Sequence, residues 1–289
     1  MEAPTRRLRA LVRVAAARAG DHRRVAVEVA TRRGGSHERG GQRNSNLPHL
    51  TPRPTGPASG SLRRAADRPA ETNGERDTTM AIVLYHHPFS RAANTVWMLE
   101  EVGVEYELKF VDIMAGDQKK EGVTKLNPMG KLPLLVDGDT VVTESAAIGL
   151  YLADRYAPGR LAPKLDDAAR GTYFRWSLFA PSVIEPGSMA KASNWEFRAG
   201  SAGWGNYDDM IATMESAISG RDFVLGREFS MADVIFGGTI AFMLDFKMLE
   251  PRPSFTGYAE RVKARPAYAK SEARNKAVMD ERGLKMPGA

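Results

Sequence analysis

Cysteine is absent from the 289-residue chain. That excludes disulfides, thiolate metal clusters and any catalysis through a cysteine of the protein itself. No run of 18 apolar residues occurs, so no stretch reads as a membrane-spanning helix and no membrane partner is expected. Residues 1–79 lack Phe, Tyr, Trp, Ile and Lys altogether. They carry 16 Arg against 8 acidic residues, a net +8, together with 8 Gly and 6 Pro. So little apolar surface cannot offset ordering costs of roughly 1–2 kcal/mol per residue, and the stretch is predicted to be a disordered extension. Within it only residues 8–19 read as a short amphipathic helix.

Three origins for this extension stay open. Arginine-rich starts suit a transit peptide, against which stand the few serines and the acidic Glu2, Asp21 and Glu28. Arginine runs also suit a nucleic-acid arm, although no aromatic is interleaved to stack on bases. The third is a start placed too early, since Lys and aromatic residues appear only beyond Met80. From Met80 onward there are 25 basic and 27 acidic residues, a net −2. The overall +6 is therefore a property of the extension, and nucleic acid is not expected as a partner of the remainder.

Residues 80–158 alternate between the strand and helix periods. An apolar run at 82–85 reads as a buried strand, and His86-His87-Pro88-Phe89 breaks it. Ser90 opens a helical pattern with Ala92, Val96 and Leu99 on one stripe, ended by Gly103. A strand at 106–111 follows, then a weak helix at 118–126, strands at 132–136 and 140–143 joined through Asp137-Gly138, and a helix at 144–156. The order β-α-β-α-β-β-α fits one small layered α/β domain. Pro133 lies inside a strand pattern, where proline is confined to strand starts, edges and bulges. Spacing alone favours a trans proline at the first strand position.

Beyond a linker at Pro158-Gly159 and Ala162-Pro163 the pattern is helical only, across 164–285. Helices are predicted at 166–181, 207–219, 255–264 and 267–282. Another starts at Ser230-Met231-Ala232-Asp233, a capping-box sequence, and carries the small residues Gly237, Gly238 and Ala241.

Three motifs in order then carry a resemblance. They are Tyr85-His86-His87-Pro88-Phe89-Ser90-Arg91, Asn127-Pro128-Met129-Gly130-Lys131-Leu132-Pro133, and Thr143-Glu144-Ser145-Ala146-Ala147-Ile148. Over residues 81–282 the chain resembles the cytosolic glutathione transferase family, in its bacterial-like, serine-type form. The resemblance implies a thioredoxin-like first domain, an all-helical second domain and a cis bond at Pro133. It also implies a cytoplasmic detoxification enzyme, a homodimer, glutathione as co-substrate, a small electrophile as second substrate and no permanent cofactor.

On that resemblance the residues take roles. The thiol of glutathione titrates near 8.5, and a hydroxyl donor at a helix N-terminus would favour its thiolate. Ser90 stands there, with a plain N-cap as its alternative role. Tyr85, five residues earlier, is the rival donor. Glu144 and Ser145 would hold the γ-glutamyl ammonium and carboxylate, Leu132 would pair its backbone with the cysteinyl segment beside Pro133, and Lys131 would meet the glycyl carboxylate. Tyr85, Trp176, Phe179 and Met189 are candidates for the second-substrate wall, with core positions as their alternative. His86 and His87 are expected to be solvent-exposed loop residues, and no metal site is expected. The alternatives on the same scaffold are a glutathione-dependent isomerase or peroxidase, and a non-catalytic glutathione-binding or scaffold protein that has lost the chemistry.

Overall fold

The computed structural model describes residues 82–285, and the predicted extension at 1–79 lies outside the described residues. Four strands form one mixed sheet. Strand β1 (Ile82–His86) runs parallel to β2 (Tyr106–Phe110) and antiparallel to β3 (Leu134–Asp137), which pairs antiparallel with β4 (Thr140–Thr143). Helix α1 (Ala92–Val102) makes the crossover between β1 and β2, and Gly103 closes it at φ 77° as the sequence predicts. The weak helix resolves into a 3₁₀ turn at Asp117–Lys119 and a short α2 (Glu121–Thr124). Helix α3 (Ser145–Tyr156) completes the domain.

The sheet buries both faces. Ile82, Leu84 and Leu135 pack with Val96, Trp97 and Leu99 of α1 and Ile148 and Leu152 of α3. Tyr85 and Leu134 point the other way and pack with Val111 and Val123. This alternation along β1 follows from the period of two in a strand.

The second domain contains α4 (Ala169–Phe179), α5 (Glu185–Ala192), α6 (Tyr207–Ile218), α7 (Met231–Asp245), α8 (Pro253–Lys263) and α9 (Pro266–Arg282). A π-helical turn at Ala180–Ile184 joins α4 to α5. Helix α7 is the central element, buried along most of its length, and it begins with the predicted Ser230–Asp233 capping box. Its small face works as expected. A Cβ on Gly238 would lie 2.5 Å from Asn94 Oδ1 of α1, so a larger residue would displace the Asn94 side chain, which donates to the Val234 carbonyl of α7. Gly149 of α3 stands at the tight junction of α1, α3 and α7, with Ile235 and Met98 within 3.2 Å of a Cβ. The chain thus combines a thioredoxin-like domain with a helical one, sharing a continuous core. Among the described residues no helix is long and apolar enough to cross a membrane.

Several expectations need correction. His86 and His87 are fully buried rather than solvent-exposed: Asn275 of α9 reaches His86, and the rings of Phe89 and Phe110 lie against His87. The first helix begins at Ala92 rather than Ser90, and β3 begins two residues late, at Leu134. Pro133 is cis, against the trans bond that spacing favours and as the resemblance implies. Helix α5 lies outside the predicted helices, since Pro186 and Gly187 read as breakers. Pro186 lies just past the π-helical turn, inside one continuous helical run, and its missing N–H falls at that irregularity.

Candidate active site

Pairing register brings three separate motifs to one end of the sheet. Tyr85 pairs with Leu134, and Leu134 pairs with Thr143. The residues just past this row are therefore neighbours: His86–Ser90 leaving β1, Leu132-Pro133 entering β3, and Glu144-Ser145 leaving β4. Two helix N-termini, those of α1 and α3, open at this same edge, and their dipoles favour an anion there.

Ser90 sits in a tight turn rather than within the helix. Its hydroxyl donates to the His87 carbonyl at 2.8 Å and accepts the Ala92 amide at 3.1 Å. Its own amide also donates to the His87 carbonyl, at 3.0 Å. The side chain is half-buried, open on one side. Because the carbonyl keeps the amide, the hydroxyl is able to swing to a new acceptor without leaving a buried carbonyl unpaired.

Tyr85 occupies different surroundings. It is 8 % exposed, on the sheet face away from α1. Its hydroxyl accepts from Lys109 Nζ at 3.2 Å, and that ammonium lies 4.6 Å from the ring centroid. Lys109 is the register partner of Tyr85 on β2, so strand pairing itself accounts for the contact.

Glu144 is exposed and adopts φ 67°, ψ 121°, a conformation that side chains rarely take. Its carboxylate caps nothing in the helix that follows. A strained backbone holding a charged group at a helix entrance is a recurrent mark of a ligand clamp. Ser145 is the first residue of α3 and half-buried. Pro133 is buried, Leu132 half-buried and Lys131 exposed. Asn127 braces this loop, donating to the Lys131 carbonyl at 3.0 Å and accepting from the Met129 amide at 3.1 Å.

Beside Ser90, Arg91 Nε reaches Glu185 Oε1 of α5 at 2.6 Å, tying the first domain to the second. Met189, one turn further along α5, is 52 % exposed. Trp176 is 4 % exposed and packs against Phe236, with Phe179 half-buried beside both. Of the candidate wall residues, Phe179 and Met189 thus retain solvent access. The ion pair spans 94 residues, and no local pattern signals it.

The buried histidines are the other contribution that spacing misses. His86 Nε2 lies 2.8 Å from Asn275 Oδ1 of α9, and burial holds its pKa down at about 4 despite that bond, with His87 depressing it further. His87 Nδ1 accepts the Phe89 amide at 3.0 Å. Burial lowers its pKa too, with Asp112 opposing.

The model of the family described as "Glutathione S-transferase, N-terminal domain" matches residues 80–154. Glutathione S-transferase hmp2 of Hypomyces subiculosus is 30% identical over 168 residues, which span 54% of this chain and 79% of that protein. The chain belongs to the glutathione S-transferase family. Glutathione S-transferase 3 of Schizosaccharomyces pombe is 39% identical over 105 residues, covering 36% of this chain and only 43% of its own length. Among solved structures, a theta class glutathione S-transferase from Xanthomonas axonopodis pv. citri with glutathione bound superposes with a TM-score of 0.55. It is 27% identical and aligns over 66% of this chain and 96% of its own. The matched residues 80–154 of this transferase-family chain include Ser90, the Lys131–Pro133 loop and Glu144-Ser145.

Proposed function

We propose that the chain is a glutathione transferase that binds glutathione at the β1–β3–β4 edge, ionises its thiol there and directs the thiolate at an electrophilic carbon of an apolar second substrate. The observation that carries this is the register row Tyr85–Leu134–Thr143, which gathers Ser90, Pro133 and Glu144-Ser145 at two helix N-termini. Glutathione carries two carboxylates and one ammonium. Ser145 and the α3 N-terminus suit the γ-glutamyl carboxylate, Glu144 suits the ammonium, and Lys131 suits the glycyl carboxylate. The backbone of Leu132 pairs with the cysteinyl segment as an added strand does.

An ordinary thiol near 8.5 is only a few per cent ionised at pH 7, so lowering its pKa by two units takes about 2.7 kcal/mol of preferential thiolate stabilisation. The Ser90 hydroxyl, released from the His87 carbonyl, donates to the sulfur, and the α1 N-terminus adds its dipole. The thiol proton passes to solvent. The sulfur lone pair then forms the new carbon–sulfur bond as the leaving group departs with its bonding pair. Tyr85 is less suited to this, because its hydroxyl is turned to Lys109 on the opposite sheet face. Phe179 and Met189 offer apolar surface to the electrophile, beside the Arg91–Glu185 pair. A homodimer is part of the same reading: Leu165, Phe174 and Leu178 leave apolar surface exposed around α4.

The deciding experiment compares Ser90→Ala with Tyr85→Phe, using glutathione and a chromogenic aryl halide. Removing the true donor lowers kcat/KM at neutral pH by about 10²-fold, as for one oxyanion-type donor. It also moves the pH midpoint upward, because the anion loses its stabiliser. A shift in Tyr85→Phe with none in Ser90→Ala reverses the assignment. An organic hydroperoxide in place of the aryl halide tests the peroxidase alternative.

A further inference from the structure

The Ser90 hydroxyl is placed by a short turn, and that turn is built on one side chain. The His87 ring is fully buried, 5.3 Å between centroids from both Phe89 and Phe110. Its Nδ1 accepts the Phe89 amide at 3.0 Å, while its backbone carbonyl holds the Ser90 amide and hydroxyl. An N–H donor needs a lone pair, so Nδ1 is unprotonated and the neutral ring carries its proton on Nε2. Nε2 is buried without a hydrogen-bond partner among the described residues. The ring therefore acts as an Asx side chain does in an Asx turn, accepting from the amide two residues on.

A second proton has one place to go, Nδ1. There it would face the Phe89 N–H, donor against donor, and the turn would lose that bond while keeping the Ser90 amide on the His87 carbonyl. The charged and titratable groups nearby oppose one another. Asp112, beyond β2, favours the cation, whereas burial disfavours it more strongly. His86 adjoins on β1, and Arg282 of α9 stands over the Phe110 ring at 4.9 Å. The neutral ring is thus the form that the surroundings select at neutral pH.

We propose that His87 is a positioning residue for thiol activation, holding the 87–90 turn closed in its neutral Nε2–H form and so aiming the Ser90 hydroxyl at the glutathione sulfur. This rests on the Ser90 reading above. Acid then acts twice, by protonating the thiolate and by loosening the turn at Phe89.

Two substitutions separate acceptor from bulk. His87→Asn supplies an Oδ1 to the same amide and does not titrate, whereas His87→Phe fills the space without an acceptor. His87→Phe is expected to lower kcat/KM at pH 7 by about tenfold or more and to raise the bound thiol's pKa, read from thiolate absorbance. His87→Asn is expected to keep the parental thiol pKa and to lose one of two acid-side ionisations in the kcat/KM profile. Imidazole ¹⁵N shifts of the parent protein at pH 7 should show the Nε2–H tautomer. An Nδ1–H tautomer overturns the proposal, as does a His87→Phe variant with parental kcat/KM and thiol pKa. Ser90→Ala belongs in the same series. If its thiol pKa moves and that of His87→Phe does not, only the His87 role falls. If Ser90→Ala leaves the thiol pKa unmoved, the Ser90 reading fails first and takes this proposal with it.

Discussion

His86 Nε2 lies 2.8 Å from Asn275 Oδ1, a buried bond between residues 189 positions apart. The amide nitrogen of Asn275 donates to the Ala93 carbonyl at 3.2 Å, so its oxygen must face the histidine. One asparagine on α9 thus pins the last residue of β1 and the first turn of α1. The element that carries Ser90 is in this way braced from the far end of the chain.

Stability should fall as pH drops from about 6.5 toward 4. His86 titrates near 4 in the folded chain against 6.5 unfolded, so the unfolded state binds the extra proton across that window. The depressed value leaves stability intact above 6.5 and removes up to about 3 kcal/mol by pH 4. His87, also lowered, acts in the same direction. Urea denaturation at intervals from pH 7.5 to 4.5 measures the slope. His86→Gln keeps a donor for Asn275 without titrating and should make the slope shallower. An unchanged slope assigns the acid sensitivity to other groups.

Glu101 should prove the most damaging single acid to neutralise on α1. Its side chain is 2 % exposed and accepts from Arg265 at 2.6 and 2.7 Å and from Trp97 Nε1 at 3.0 Å. Arg265 precedes α9, so the pair clasps the two domains. Glu101→Gln removes the charge and leaves the guanidinium half-matched. A fully buried pair loses roughly 3–5 kcal/mol on such a change. Arg265 keeps 32 % of its side chain exposed, so about 2–3 kcal/mol is expected here. A change in denaturation midpoint worth less than about 1 kcal/mol would mean that the clasp is no stronger than a surface pair.

Asp233 should tolerate substitution worse still. Its carboxylate accepts from the Val224 amide at 2.8 Å, the Ser230 amide at 2.9 Å, the Ser230 hydroxyl at 3.0 Å and the Tyr258 hydroxyl at 2.7 Å, all buried. Asp233→Ala leaves those donors without an acceptor. Each stranded group costs roughly 1–3 kcal/mol, so a loss of about 4 kcal/mol or more is expected, with poor yield of folded protein. Tyr258→Phe removes one donor together with its bond and should cost about 1 kcal/mol. Comparable losses in the two variants would contradict a carboxylate at the centre of the network.

Local chemistry makes much of this fold legible in the sequence. Gly103 and Gly138 mark the helix end and the hairpin, and both take positive φ. Ser230–Asp233 marks the start of the buried central helix. What spacing does not supply comes from far along the chain. His86 and His87 read as an exposed pair because their partners are not adjacent in sequence: Asn275 of α9 reaches His86, and Phe110 of β2 lies against His87. Trp176 reads as a candidate wall because a helical aromatic looks alike in a core and in a cleft, and Phe236 of α7 decides between them. Helix α5 is hidden by Pro186, which reads as a break but lies inside a helical run that a π-helical turn carries past it. The site motifs are visible locally, whereas their convergence requires the pairing register of β1, β3 and β4.

Glu144 should show a conflict between stability and binding. It holds φ 67°, ψ 121° with a side chain that caps nothing. That backbone costs roughly 1–3 kcal/mol for a residue with a Cβ. The strain is intelligible if the conformation aims the carboxylate at the γ-glutamyl ammonium while Ser145 and the α3 N-terminus face the carboxylate. Glu144→Gly removes the strain and the charge together. Glycine takes positive φ readily, so the variant should be more stable by about 0.5–1 kcal/mol, the gain being reduced by the added freedom of the unfolded chain. Glu144→Ala removes the charge and keeps the strain, so its stability should change little. Both should bind glutathione more weakly. Losing one charge-assisted bond is worth about 1.5–3 kcal/mol, or roughly 10–150-fold in Kd. Calorimetric titration with glutathione and denaturation of each variant give both quantities. In the proposed binding mode the carboxylate meets the γ-glutamyl end and not the sulfur, so the bound thiol's pKa should stay near the parental value in both. Weakened binding with a stabilised glycine variant identifies a clamp held under strain. Unchanged binding in both, with stability alone affected, would reduce Glu144 to the residue that happens to precede α3.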